Sequence, residues 1–276
     1  MTTIEWKDGW PILNKNKPIL LTESFGTTPD QKYPPAAFRD TFRSNVVDSS
    51  WYQLRTPYTK NYKSGTHGNG GITFTPNVFS LSERDTPAAI LRKQKSLNMT
   101  FSASLLPTTK PLGYLQSIGI SVYLSEFQHQ DIGVRGCLNQ TGICIYSTLR
   151  TNGTSIVRNQ PLYLIIEIAD HNIQTSQIPL NSTVIQTGIT LSIRATPLKY
   201  SLGFQFGVDP VVWMSDIASS WLAFAPKDFF VFEGASFALF ASGNGNPWPF
   251  DAPSVGFKEV NEVYFDENIP DYDIWN

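Results

Sequence analysis

The sequence predicts an all-β protein, an antiparallel β-sandwich, on three observations. The first is period-two alternation of apolar and polar residues. Met99, Phe101, Ala103 and Leu105 alternate with Thr100, Ser102 and Ser104, and Ile120, Val122 and Leu124 alternate with Ser121, Tyr123 and Ser125. Ile189, Leu191, Ile193 and Ala195 do the same, as do Tyr200, Leu202, Phe204 and Phe206. Neighbouring strand side chains point to opposite faces, so each stretch carries one buried and one wetter face. The second is the turn chemistry between the runs, at Gly68-Asn69-Gly70-Gly71, Asn152-Gly153 and Gly243-Asn244-Gly245-Asn246-Pro247. The third is an aromatic content of 13%, since flat rings pack well on pleated sheets.

In chain order, residues 1–35 read as an extended lead-in, punctuated by Gly9-Trp10-Pro11, Lys17-Pro18 and Tyr33-Pro34-Pro35 around one apolar strand at Ile19-Leu20-Leu21. The sandwich proper begins near Phe38, and about a dozen strands can be placed beyond it. Only Asp216 to Ala225 offers a short helix, with an ambiguous period. Asp266 to Asn276 is an acidic, aromatic tail that reads as a surface strap or frayed end. No repeat of fixed length is visible, which argues against a propeller within these residues.

A length of 276 residues suits one large β domain or two small ones, and 41% hydrophobic against 16% charged residues describes a globular chain. The net charge of −2 comes without a basic stripe, which excludes a nucleic-acid footprint and disfavours a polyanionic substrate. No apolar run approaches the roughly 18 residues of a membrane span. Met1 to Asp8 lacks the basic and apolar regions of a signal peptide. Yet four N-glycosylation sequons occur, at Asn98, Asn139, Asn152 and Asn181, where chance supplies roughly one or two. A chain built for secretion but lacking its leader reconciles the two.

Candidate chemistry is sparse. Of three histidines, His67 sits in a Gly-rich turn and His171 just past a strand, both read as solvated; no zinc set emerges. His129 belongs to Glu126-Phe127-Gln128-His129-Gln130-Asp131, a polar run ending an apolar strand, which either lines a groove at a sheet edge or closes a loop by hydrogen bonds. Cys137 and Cys144 flank what resembles a hairpin tip, as a disulfide or as two free thiols. No Gly-x-Ser-x-Gly elbow exists. Asp40, Glu126 and Asp131 lie near strand ends and are expected to be solvated rather than a facing acid/base pair. Phe229 to Phe232 and Trp248 offer rings that stack on sugar faces, or, for the Phe run, a strand packed on both sides.

Several blocks, in order, resemble fungal family 43 glycoside hydrolases: Leu54 to Tyr58, Phe74 to Ala89, Leu91 to Ser96, Glu126 to Arg135 and Phe237 to Gly245. They are similar to the concanavalin A-like C-terminal domain of β-xylosidases and α-L-arabinofuranosidases, and the likeness covers residues 36–265. Trp6 to Pro11, with Asn14 and Lys17-Pro18, resembles the closing strand of the five-bladed propeller that precedes this domain. The resemblance therefore implies a propeller remnant and linker over 1–35 and a concanavalin A-like (jelly-roll) sandwich over 36–276. It implies an extracellular protein whose partners are a family 43 propeller and a xylo- or arabino-oligosaccharide.

The family's three catalytic carboxylates belong to the propeller, so none is carried onto a residue here. In some relatives a Phe loop of the sandwich closes the propeller's pocket; the matching residues are Phe230 and Phe232, and Trp248 is the candidate for carbohydrate stacking. No cofactor is expected; such sandwiches sometimes hold a structural calcium, to which no residue can be assigned. Three functions are thereby open: an accessory domain without its own chemistry, a free-standing lectin-like carbohydrate-binding module, or a hydrolase in its own right.

Overall fold

A computed structural model describes residues 4–17, 37–55, 59–67, 70–114, 116–138, 141–150, 156–157, 165–166, 173–223, 234–243 and 253–265. The chain divides into two compact units, Met1–Pro35 and Ala36–Asn276. In the first, β1 (Ile4–Lys7) pairs with β2 (Trp10–Leu13), so the stretch that resembles one closing strand holds two. Asp8 and Gly9 join them with φ of 49° and 79°, the paired positive dihedrals that a two-residue hairpin turn needs and an Asp-Gly pair supplies. The expected strand at Ile19 to Leu21 lies outside the described residues.

In the second unit the strands are β3 (Ala37–Asp40), β4 (Tyr62–His67), β5 (Gly70–Phe74), β6 (Ala88–Lys93), β7 (Met99–Leu105) and β8 (Ser117–Ser125). They continue through β9 (Gln128–Gly136), β10 (Ile143–Arg150), β11 (Ile156–Val157), β12 (Ile165–Ile166) and β13 (Ile173–Pro179). The last are β14 (Ile189–Ala195), β15 (Lys199–Phe206), β16 (Val212–Ala218), β17 (Ser236–Ser242) and β18 (Val255–Tyr264). One sheet has seven strands in the order β12-β13-β10-β9-β8-β17-β6. The other has nine, β11-β16-β15-β14-β7-β18-β5-β4, with β3 also on β18. Among the described strands every pairing is antiparallel, as a sandwich of hairpins and crossovers requires.

The core lies between the sheets. Met99, Phe101, Ala103 and Leu105 of β7 are buried and alternate with half-buried Thr100, Ser102 and Ser104, as their pattern predicts. Phe101 stacks on Phe237 of the opposite sheet, ring centroids 4.8 Å apart and planes 8° from parallel. The short helix offered by Asp216 to Ala225 does not form over its described residues, 216–223. Asp216 and Ile217 belong to β16, where Ile217 is fully buried opposite Tyr200 and Asp216 pairs with Lys199 at 2.8 Å. Only Ser219–Ala223 coils, as a 3-10 turn. Sheet pairing overrides an ambiguous local period.

A second departure matters more for function. Alternation predicts that β8 has a wet face, but β8 and β9 are buried throughout. The face turned away from the core carries a smaller cluster of Leu81, Ala89, Leu91, Tyr123, Ala238 and Phe240, onto which Tyr52 and Leu54 pack. Tyr52 bridges Leu91 on the edge strand β6 through two backbone hydrogen bonds of 2.8 and 2.9 Å. The segments around Tyr52 and Leu81 thus roof part of this outer face.

The β9–β10 hairpin closes on a disulfide between Cys137 and Cys144, with Cα atoms 5.1 Å apart. So short a loop removes little chain entropy, and Cys137→Ser with Cys144→Ser is expected to cost about 2 kcal/mol. A urea midpoint compared with the parent protein measures it; an unchanged midpoint would mean the bridge carries no stability.

Candidate functional site

The outer face of the seven-stranded sheet opens into a cleft of about 180 Å³, lined among others by His129, Asp131, Arg135, Tyr146, Arg150 and Phe240. Its floor is set by two glycines. Gly119 of β8 and Gly133 of β9 face each other in register. A Cβ on Gly119 would sit 2.9 Å from the Phe240 ring, and one on Gly133 2.9 Å from the Tyr146 ring. Their bare backbone lets those two rings settle onto the sheet. One transverse row therefore runs Tyr146, Gly133, Gly119, Phe240.

On one side of that row stands a buried polar chain. His129 Nδ1 lies 2.8 Å from Asp131 Oδ1, and Arg150 Nη1 donates to Asp131 Oδ2 at 2.9 Å. His129 Nε2 meets the hydroxyl of exposed Ser82 at 3.0 Å, and Arg150 Nη2 donates to the same hydroxyl at 3.2 Å. The Ser82 segment is clamped in place through Glu126, which binds Arg84 and, at 3.5 Å, Arg55. Ser82–His129–Asp131 has the connectivity of an acyl-transfer triad. Around Ser82 the described residues do not assemble an oxyanion hole: the amides of Ser80, Ser82 and Glu83 already donate to Glu83, Ser80 and Ser80. Arg150 also opposes the imidazolium that the base must become. The chain is a wall of the cleft.

Burial, aided by Arg150, pushes the His129 imidazole below its ordinary range. Burial opposes ionisation of Asp131, but the His129 ring and Arg150 outweigh it and hold that carboxyl well below the usual carboxylate range. The signs agree. Below about pH 6.5 the unfolded histidine takes up a proton that the folded one resists, and below about pH 3.9 the unfolded aspartate does likewise. Stability is full above the histidine window and falls on acidification. The urea midpoint should drop between about pH 7.5 and about pH 5.5, and His129→Gln should flatten that drop; a parallel profile in the variant would remove His129 as its source.

Across the row, Arg135 stands with its guanidinium carbon 4.6 Å from the Tyr146 ring centroid. Burial lowers the affinity of Arg135 for its proton and raises that of the Tyr146 hydroxyl, which is hydrogen-bonded to Ser117. Tyr146 therefore remains a neutral phenol.

Several expectations change here. Glu126 to Asp131 does not end a strand at a sheet edge: Glu126 and Phe127 form the turn, and Gln128 starts β9, the central strand. Glu126 and Asp131 are 7% and 6% exposed rather than solvated, because the roofing segment covers them. Asp40 is half-buried and accepts hydrogen bonds from the Phe42 amide and the Trp51 indole at 2.7 and 2.8 Å. Asn181 is exposed and Asn98 half-buried. Phe230, Phe232, Trp248, Asn139, Asn152 and His171 lie outside the described residues, as does the side chain of His67. Among the described residues no three His, Cys, Asp or Glu side chains converge as a metal ion would require.

Sequence reasoning passed over Arg135, Tyr146, Arg150 and Phe240. A usable signal existed in β9, where His129, Asp131, Gly133 and Arg135 share one face at period two.

Residues 39–252 match the family of the β-xylosidase C-terminal concanavalin A-like domain. The chain belongs to that family. Among curated proteins this family 43 domain is 22% identical over 259 residues to a non-reducing end α-L-arabinofuranosidase of Bacteroides ovatus, covering 91% of the chain and 43% of the relative. It is 28% identical over 124 residues to a putative β-xylosidase of Escherichia coli K12, covering 45% and 23%. Among solved structures, a family 43 protein of Bacillus licheniformis superposes with a TM-score of 0.68 at 15% identity, over 95% of this chain and 46% of that one. A xylan β-1,4-xylosidase of Bacillus halodurans gives 0.64 at 15%, over the same shares. The domain thus spans less than half the length of these relatives.

Proposed function

We propose that this chain acts as the accessory C-terminal sandwich of a family 43 glycoside hydrolase that trims xylose or arabinose from plant polysaccharides, with the catalytic carboxylates supplied by a propeller. The observation that carries this reading is the match of residues 39–252 to a C-terminal domain family. Two features support it. Among the described residues the buried carboxylates Glu126, Asp131 and Glu262 are each ion-paired to arginine, so none of them is a free carboxyl facing a second one across a cleft, as a glycosidase pair must be. The first hairpin exposes Trp6 and Trp10 at 73% and 76%, beside Ile4 and Leu13; two strands alone are marginal, so this apolar hairpin suits addition to another β domain. Export is supported by the Cys137–Cys144 bridge and by the exposed sequon at Asn181.

The aromatic-floored cleft favours a second reading, a module that binds carbohydrate independently. Aryl xylosides and aryl arabinofuranosides, offered to the chain alone and with a separately expressed family 43 propeller, separate the readings. Turnover only in the presence of the propeller is expected. Turnover by the chain alone overturns the accessory role, and retention on insoluble xylan without any stimulation of the propeller favours the second reading. In an enzyme carrying both domains, Phe230→Ala and Phe232→Ala test closure of the propeller's pocket; unchanged kcat/KM for short oligosaccharides removes that role.

A further inference from the structure

The Arg135 end of the cleft carries a charge for which the described fold supplies no counterion. Arg135 is 7% exposed, yet its one side-chain hydrogen bond runs from Nη2 to Gln177 Oε1 at 3.0 Å, and its Nε is buried without a partner. The titratable groups that act on it are the hydroxyls of Tyr146 and Tyr114, with no carboxylate among them. Other enclosed guanidiniums are paired, Arg92 with Glu262 and Arg150 with Asp131. An enclosed cation without an anion is unfavourable unless a ligand completes it.

The surroundings describe that ligand. One uncompensated guanidinium calls for a single negative charge, and its planar fork suits a carboxylate. The rings of Tyr146 and Phe240 line the cleft beside it, 6% and 5% exposed, and give apolar surface for C–H groups, as sugar rings present. Ser117, in register with Arg135, and Thr148, in register with Asp131, put hydroxyls on either side of the floor. At about 180 Å³ the cleft falls below the roughly 300–1,000 Å³ of larger ligand pockets, so it suits one ring rather than a chain segment.

We propose that this cleft binds a single carboxylated sugar, a hexuronate, with its carboxylate on Arg135 and its ring against the apolar lining of Tyr146 and Phe240. The choice of a sugar rests on the polysaccharide-degrading role proposed above; the carboxylate does not. The accessory domain would thereby recognise acidic substituents on a largely neutral polymer.

Calorimetric titration of the whole chain at low ionic strength with sodium D-glucuronate, sodium D-galacturonate, D-xylose and sodium acetate tests it. At least one uronate should bind with Kd near or below about 1 mM. Xylose, lacking the charge, and acetate, lacking the ring, should each bind at least about tenfold more weakly, and Arg135→Gln should weaken the uronate by at least about tenfold. Acetate or xylose matching the uronates overturns the proposal, as does full affinity in the variant, or no uronate binding at all. If Arg135→Gln fails to fold, the Arg135 Nε–H resonance of the parent decides: it must shift on addition of glucuronate, and an unmoved signal overturns the assignment. Propeller stimulation is a separate readout, so loss of uronate binding with stimulation intact removes this inference alone.

Discussion

Glu262→Leu is expected to destabilise the sandwich by about 3–5 kcal/mol, because it strands a buried arginine. Glu262 is fully buried on β18 of the nine-stranded sheet, and Arg92 is 2% exposed on β6 of the seven-stranded one. Arg92 Nε donates to Glu262 Oε1 at 2.8 Å, its Nη1 donates to Ser50, and its guanidinium carbon lies 3.5 Å from the Phe38 ring centroid. Tyr264 donates to the second carboxylate oxygen of Glu262. Burial and that hydrogen bond push the Tyr264 hydroxyl up to about 12, so it stays a donor at neutral pH. The pair thus bolts one sheet to the other.

Its net worth against an apolar pair is small, since two charges had to be taken out of water, whereas losing one partner leaves the other uncompensated. Arg92→Met combined with Glu262→Leu should therefore recover most of the loss. Urea unfolding of the two single variants and the double variant decides the matter. A double variant as unstable as Glu262→Leu alone would show that shape rather than charge is at fault.

Phe237→Ala is expected to cost about 3–5 kcal/mol. Phe237 is fully buried on β17 and stacks on Phe101 of β7, so truncation opens a void between two sheets whose backbones are fixed by hydrogen bonds and can collapse little. Phe101→Ala should cost a similar amount. The two together should fall short of the sum by about 0.5–1.5 kcal/mol, the part that belongs to ring–ring contact. Unfolding midpoints at constant m-value measure all three variants; strict additivity would mean the rings contribute area alone.

These two sites also show what was legible beforehand. Phe101 sits in a clean alternation, and its burial follows from the sequence. Phe237 lies in Phe237-Ala238-Leu239-Phe240-Ala241, a run apolar on both faces, which says only that both faces are covered. Arg92 and Glu262 stand 170 residues apart in the chain. Nothing local distinguishes a charge that will meet its partner inside from one left in water.

The same reason explains the cleft. Alternation assigns residues to faces of a strand, and by that rule His129, Asp131 and Arg135 share a face. It does not say that β9 becomes the middle strand of its sheet, nor that the segment bearing Arg84 and Ser82 folds back to cover it. Both depend on contacts between distant parts of the chain, such as Arg84 with Glu126 and Arg150 with Ser82, 42 and 68 residues apart.

By itself the sequence determined the all-β class and the facing of the alternating strands, because those follow from local chemistry; resemblance supplied the family. Only the tertiary structure decided that a polar run is a buried wall rather than a solvated strand end. It alone decided that Gly119 and Gly133 seat two rings beneath a cleft, and that Arg135 stands there without a counterion among the described residues. Those outcomes belong to the pairing of strands and the roofing of a sheet face, which no single segment encodes.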